Sequence, residues 1–87
     1  MDLNFEARRL LRQQLDLAAA DYARLAEGLA LKGVRMTPKA LSNKINRGTF
    51  SFSFFIQCLL ALGVETPTLN LTHLTRHVPL PGESPER

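Results

Sequence analysis

The sequence predicts an all-α fold, a compact bundle of four to five short helices, and three observations support this prediction. Apolar residues recur at helical spacing in successive stretches of the chain. An Asp, Thr or Ser precedes three of these stretches, where its side chain suits a helix cap, and a Gly follows the same three. The length predicts one domain over residues 1–78, and the three prolines of residues 79–87 predict a flexible, disordered tail.

The first helix is expected over residues 3–16, with one apolar face that points towards a core. That face consists of Leu3, Ala7, Leu10, Leu11 and Leu15. The opposite side carries Arg8, Arg9 and Arg12, which we interpret as a solvated face with acidic neighbours.

The second helix is expected over residues 22–31, capped by Asp21 and ended by Gly33. Its apolar stripe consists of Leu25, Ala26 and Leu29. Because Ala26 is small, we expect another helix to cross closely at this position.

The third helix has the clearest start and end signals in the chain. Thr37 suits the cap, Pro38 suits the first turn, and Gly48 suits the left-handed position after the last turn. Leu41 and Ile45 share one face and are expected to point into the core. The opposite face is polar and consists of Lys39, Ser42, Asn43 and Asn46, with Arg47 at its edge.

The fourth helix, expected over residues 52–62 between Ser51 and Gly63, is apolar nearly all round. Its predicted core stripe consists of Phe52, Phe55, Ile56, Leu59 and Leu62. Phe54 and Leu60 fall outside that stripe, so we expect them to form a surface covered by a second chain, another partner or the C-terminal segment.

Residues 65–78 satisfy two patterns at once. Residues 68–72 alternate like a strand, whereas Leu71, Leu74 and Val78 are spaced like one face of a helix. Two interpretations therefore stay open: a short helix near residues 71–77 that covers the fourth helix, and a strand that pairs two subunits.

The positive charge is concentrated in one part of the chain. The whole sequence has 11 Lys and Arg against 8 Asp and Glu, a net charge of +3. Residues 32–47 contain no acid, and their cations are Lys32, Arg35, Lys39, Lys44 and Arg47. Such a cluster on and before the third helix indicates a polyanionic partner.

Other classes of function find little support in the sequence. The single Cys58 lies in an apolar helix, and His73 and His77 share a helical spacing but have no third metal ligand nearby. We therefore expect no enzyme activity, no cofactor and no metal. Residues 1–16 lack the apolar core of an export signal, and no apolar run reaches the roughly 20 residues of a membrane span. These features predict a cytoplasmic protein that does not contact membranes.

Two helices joined by a turn, the second polar on its outside and followed by an apolar helix, resemble the Cro/repressor-type, lambda-repressor-like helix-turn-helix family. The resemblance places the motif at residues 21–48 and the closing helix at residues 52–62. The connection over residues 30–36 is longer than the usual turn of about 3–4 residues. Tyr22 stands where that family commonly has Gln.

Part of the chain is also similar to a small bacterial helix-turn-helix family with no assigned function. The similarity rests on residues 40–50, 54–59 and 61–63. This second resemblance implies no activity.

The helix-turn-helix resemblance implies a sequence-specific transcriptional regulator that binds double-stranded DNA as a homodimer, with residues 37–47 in the major groove. Base contacts are expected from Lys39, Ser42 and Asn43. Phosphate contacts are expected from Arg35, Lys44, Arg47, Thr49 and Tyr22. The alternative is a non-enzymatic protein-interaction module on the same fold, which would use the apolar helix 52–62.

Overall fold

The computed structural model describes residues 3–71. Over this range the chain forms four α-helices and no strand: α1 (Leu3–Leu17), α2 (Tyr22–Leu31), α3 (Pro38–Arg47) and α4 (Phe52–Ala61). The all-α prediction is confirmed, and each of these helices begins and ends within one residue of its expected bounds. The helix expected near residues 71–77 and the tail over residues 79–87 lie outside the described residues.

Capping side chains set where three of the helices begin. Each predicted cap accepts a hydrogen bond from the backbone N–H three residues later: Asp21 Oδ1 from Arg24 at 2.8 Å, Thr37 Oγ1 from Ala40 at 3.1 Å, and Ser51 Oγ from Phe54 at 3.0 Å. These bonds satisfy N–H groups that have no partner within their own helix. The local sequence is therefore sufficient to explain the starts of α2, α3 and α4.

The core lies where α2 packs against α3 and α4, and α1 packs against α3. Its fully buried members are Leu11, Leu25, Leu29, Leu41, Ile45 and Cys58. Leu41 and Ile45 thus point inward as predicted. Leu3 was expected in the core but is 59% exposed, because it is the first residue of α1.

The position at which two helices cross closely differs from the predicted one. A Cβ built on Gly28 would lie 2.5 Å from the backbone oxygen of Ala61, so α2 and α4 approach each other at Gly28. Ala26, where the sequence predicted this approach, is only partly buried. Glycine is required here by space alone, since no side chain fits between the two backbones.

The rotation of α4 also differs from the prediction. Its buried residues are Phe54, Phe55, Cys58, Leu59 and Ala61. Phe52, Ile56 and Leu60, which we call the outer stripe, are 73%, 40% and 57% exposed. Phe54 was expected to share with Leu60 a surface covered by a second chain, another partner or the C-terminal segment, but it is a core residue and only 6% exposed.

Residues 65–71 run without helix or strand after α4. Two side chains of α1 donate hydrogen bonds to their backbone: Gln14 Nε2 to the oxygen of Thr68 at 2.9 Å, and Arg9 Nη2 to the oxygen of Asn70 at 3.2 Å. Leu69 lines an apolar groove of about 260 Å³ between α1 and the start of α4. This segment therefore lies along α1. None of the helices in residues 3–71 has the length and apolar character needed to cross a bilayer.

Candidate nucleic-acid interface

The three predicted base-contact residues lie together on the outward side of α3. Lys39 and Asn43 are exposed and sit one helical turn apart, and Ser42 is half-buried beside them. The opposite side of the helix carries Leu41 and Ile45, which are fully buried and hold α3 against α1 and α2. Because α3 is amphipathic, burying these two residues turns the polar residues outward.

A hydrogen bond within α3 orders part of this polar surface. Asn46 Nδ2 donates to Ser42 Oγ at 3.2 Å, one helical turn away. A hydroxyl that accepts one bond can still donate its own hydrogen, and the Asn46 amide keeps its oxygen as an acceptor. The sequence predicts that both residues lie on the polar face, but it gives no sign of this bond.

The cations of residues 32–47 remain uncompensated by acids. Lys32, Arg35, Lys39, Lys44 and Arg47 are all exposed. Within residues 3–71 the salt bridge that forms is on α1, between Arg9 Nε and Glu6 Oε2 at 2.7 Å, and none of the five cations takes part in one. We call these five residues, together with Ser42 and Asn43, the basic face. Its unpaired positive charge attracts anions.

Lys44 also contacts α4, which the sequence does not predict. Its Nζ lies 4.8 Å from the centre of the Phe54 ring, close enough for a cation–π interaction. The ring is buried and belongs to the next helix, so no signal near Lys44 in the sequence indicates this contact. Lys44 is thereby held on the side of α3 that adjoins α4.

The other predicted phosphate-contact residues lie in the basic face or beside it. Arg35 precedes α3 and Thr49 follows it, and both are exposed. Arg47 lies in the last turn of α3, at the negative end of its helix dipole, where a cation is favoured. Tyr22 begins α2 and packs against the core with part of its surface exposed.

Cys58 is a free thiol that is fully buried in the core. Burial raises the pKa of its thiol to about 12, although the positive charge of the nearby Lys44 acts in the opposite direction. A thiol with such a pKa is protonated at neutral pH, whereas the thiolate is the reactive form. Within residues 3–71 no three His, Cys, Asp or Glu side chains come together as metal ligands. His73 and His77 lie outside this range.

Comparison with known proteins identifies a family but no function. No curated protein and no solved structure matches this chain. One family model, described as a domain of unknown function (DUF6471), matches residues 3–67. The match includes all four helices and the whole basic face. The chain therefore belongs to the DUF6471 family of domains of unknown function.

Proposed function

We propose that this protein is a sequence-specific, double-stranded DNA-binding transcriptional regulator without enzymatic activity, and that it acts as a homodimer. The observation that carries this proposal is the basic face. It combines an exposed amide, a half-buried hydroxyl and exposed cations on and just before one helix, and residues 32–47 contain no acid. These are the groups that bind phosphates and read base edges.

The packing of α2 against α3 supports a helix-turn-helix arrangement, with residues 32–37 as the turn. In this arrangement the second helix enters the major groove and its early residues contact bases. Lys39 would then bind guanine acceptors, Asn43 would bind adenine through two hydrogen bonds, and Ser42 would assist. Phosphates would be bound by Arg35, Lys44, Arg47, Thr49 and Tyr22.

The first test compares a base-reading residue with a phosphate-binding residue. Sites are first selected from random duplex DNA, and affinity is then measured for wild type and variants on the selected site and on single-base variants of it. Asn43→Ala should lose about 1–3 kcal/mol of binding free energy on the selected site. It should also no longer distinguish between bases at one position of that site. Arg47→Ala should weaken binding to every duplex alike and reduce the dependence of log affinity on log salt by about one unit.

A matched control is Gln57→Ala, which removes an exposed amide from α4 instead of α3. We expect this variant to bind every duplex like the wild type. Equal loss on all sequences would reject Asn43 as a base-reading residue. Binding to duplex DNA that is absent, or insensitive to salt, would reject the whole proposal.

The second candidate function is a protein-interaction module, and the exposed outer stripe of α4 favours it. Three large apolar side chains in solvent are typical of a surface that binds another protein. In that case the basic face only keeps the protein in solution. Duplex DNA titrated at two salt concentrations separates the candidates, because only the first predicts affinity that falls steeply with salt.

A further inference from the structure

We infer that the outer stripe of α4 binds the outer stripe of a second copy of this chain in an antiparallel, two-fold symmetric contact centred on Ile56. This deepens the homodimer in the proposed function by naming the surface and its geometry. The stripe is Phe52, Ile56 and Leu60, which are 73%, 40% and 57% exposed.

The spacing of the stripe suits two-fold symmetry. Its residues are four positions apart, so they lie along one line on the helix, about 12 Å from first to last at 1.5 Å per residue. A two-fold axis through Ile56 places Ile56 against its own copy and Phe52 against Leu60 of the partner. Symmetric dimers require a surface of this self-complementary kind.

The distribution of charge makes this surface a better place for two copies to meet than the rest of the molecule. The chain carries a net charge of +3, so two copies repel each other in general. Residues 48–64 contain no charged residue, and an α4–α4 contact therefore brings no like charges together. The basic face on α3 cannot bind its own copy in this way, because it would oppose cations to cations.

The apolar surface continues beyond the start of α4. Phe52 belongs to the outer stripe and also lines the groove formed with Ala7, Leu10, Phe50, Phe55 and Leu69. In the antiparallel arrangement the partner's Leu60 reaches this end of α4. The groove thus enlarges the contact at both ends of the stripe, one groove from each copy.

The size of this surface predicts a weak dimer. Stable interfaces bury about 800 Å² on each partner, more than three side chains supply. We therefore expect a monomer–dimer equilibrium in the micromolar range. Two copies bound side by side on DNA would be held together there even at lower concentration.

The test introduces opposite charges at two positions that face each other across the proposed axis. The dimer affinity of each variant is then measured by sedimentation equilibrium of the full chain without DNA. Phe52→Lys alone and Leu60→Glu alone should each weaken the dimer tenfold or more, because each places an unpaired charge in an apolar contact. The double variant Phe52→Lys with Leu60→Glu should recover most of the affinity, since each Lys then faces a Glu of the partner. An equimolar mixture of the two single variants should form heterodimers for the same reason.

Controls separate this inference from loss of fold and from the proposed function. All substituted positions are exposed, and circular dichroism should show unchanged helix content. Gln57→Ala changes a side chain beside the stripe without adding a charge and should leave the dimer nearly unchanged. A wild type that stays monomeric at high micromolar concentration would overturn the inference, as would a double variant and a mixture that recover nothing. Neither result bears on whether the basic face binds DNA. That question is answered separately, by measuring how the affinity of the monomer for duplex DNA depends on salt.

Discussion

Helices α3 and α4 are alike in local construction and opposite in surface. Both have ten residues, both are capped by a hydroxyl side chain, and both are followed by a Gly with positive φ. Yet α3 buries two residues and presents polar and basic side chains outward, whereas α4 buries five and presents an apolar stripe. The same start and stop signals thus serve helices with different surfaces, and what each surface can bind depends on the residues between those signals.

The two helices also contact each other. Lys44 of α3 lies over the ring of Phe54, which is part of the buried side of α4. A cation of the basic face is therefore positioned by the apolar helix. If α4 pairs with a second copy, as we infer, one dimer presents two basic faces.

The largest expected effect on stability comes from substituting the glycines that follow these two helices. Gly48 has φ +68, and a Cβ there would overlap the backbone oxygen of Asn4 in α1. Gly63 has φ +75, but nothing lies within 4 Å of the Cβ position. Gly48→Ala should therefore lower the free energy of unfolding by about 3 kcal/mol or more. Gly63→Ala should lower it by about 1 kcal/mol, which is the backbone penalty alone.

Urea denaturation of both variants measures this difference as a change in midpoint at constant slope. Gly63→Ala serves as the matched control, because it shares the positive φ and lacks the contact. Equal losses for the two variants would show that the chain relieves the overlap between the new Cβ and Asn4 at no further cost.

A smaller effect on the stability of the fold is expected when the pH is raised. It comes from the Cys58 thiol on the buried side of α4. Burial raises the pKa of Cys58 from 9.0 to about 12. Above pH 9 the unfolded chain releases this proton while the folded chain keeps it, so the folded state loses stability as the pH rises towards 12. We expect a loss of at most about 1.4 kcal/mol per pH unit from this group.

Free energies of unfolding measured between neutral pH and pH 10 for wild type and Cys58→Ala test this expectation. The variant lacks the thiol, and its stability should fall less steeply above pH 9. In the folded wild type, Cys58 should also resist alkylation at neutral pH. Rapid labelling without unfolding would contradict the proposed burial.

The smallest expected effect concerns α1, which ends without the glycine that follows α3 and α4. Ala19 stands at the left-handed position with φ +52, and the hydrogen bond from Ala20 N to the oxygen of Leu15, at 2.9 Å, matches the one that ends α4 from Val64 to Leu59. Ala19→Gly should stabilise the protein by about 0.5–1 kcal/mol, because it removes the Cβ penalty. A thermal unfolding temperature that falls instead would show that the added freedom of the unfolded chain is the larger effect.

The starts and ends of the helices could be predicted from the sequence, because they depend on neighbouring residues. Asp21, Thr37 and Ser51 cap N–H groups only three residues away, and Gly48 and Gly63 provide local backbone freedom. The outward direction of Lys39 and Asn43 could also be predicted, since α3 has two clearly different sides. These features need no knowledge of the other helices.

The tertiary structure alone decided how α4 is rotated, where α2 crosses it and which ring Lys44 contacts. α4 is apolar nearly all round, so several rotations satisfy its sequence pattern equally well. Packing against α2 selects the one that buries Phe54 and exposes Phe52, and the crossing at Gly28 allows the two backbones to approach. Periodicity identifies the side of a helix that is buried only when the two sides differ in polarity; where they do not, the shape of the neighbouring helices decides.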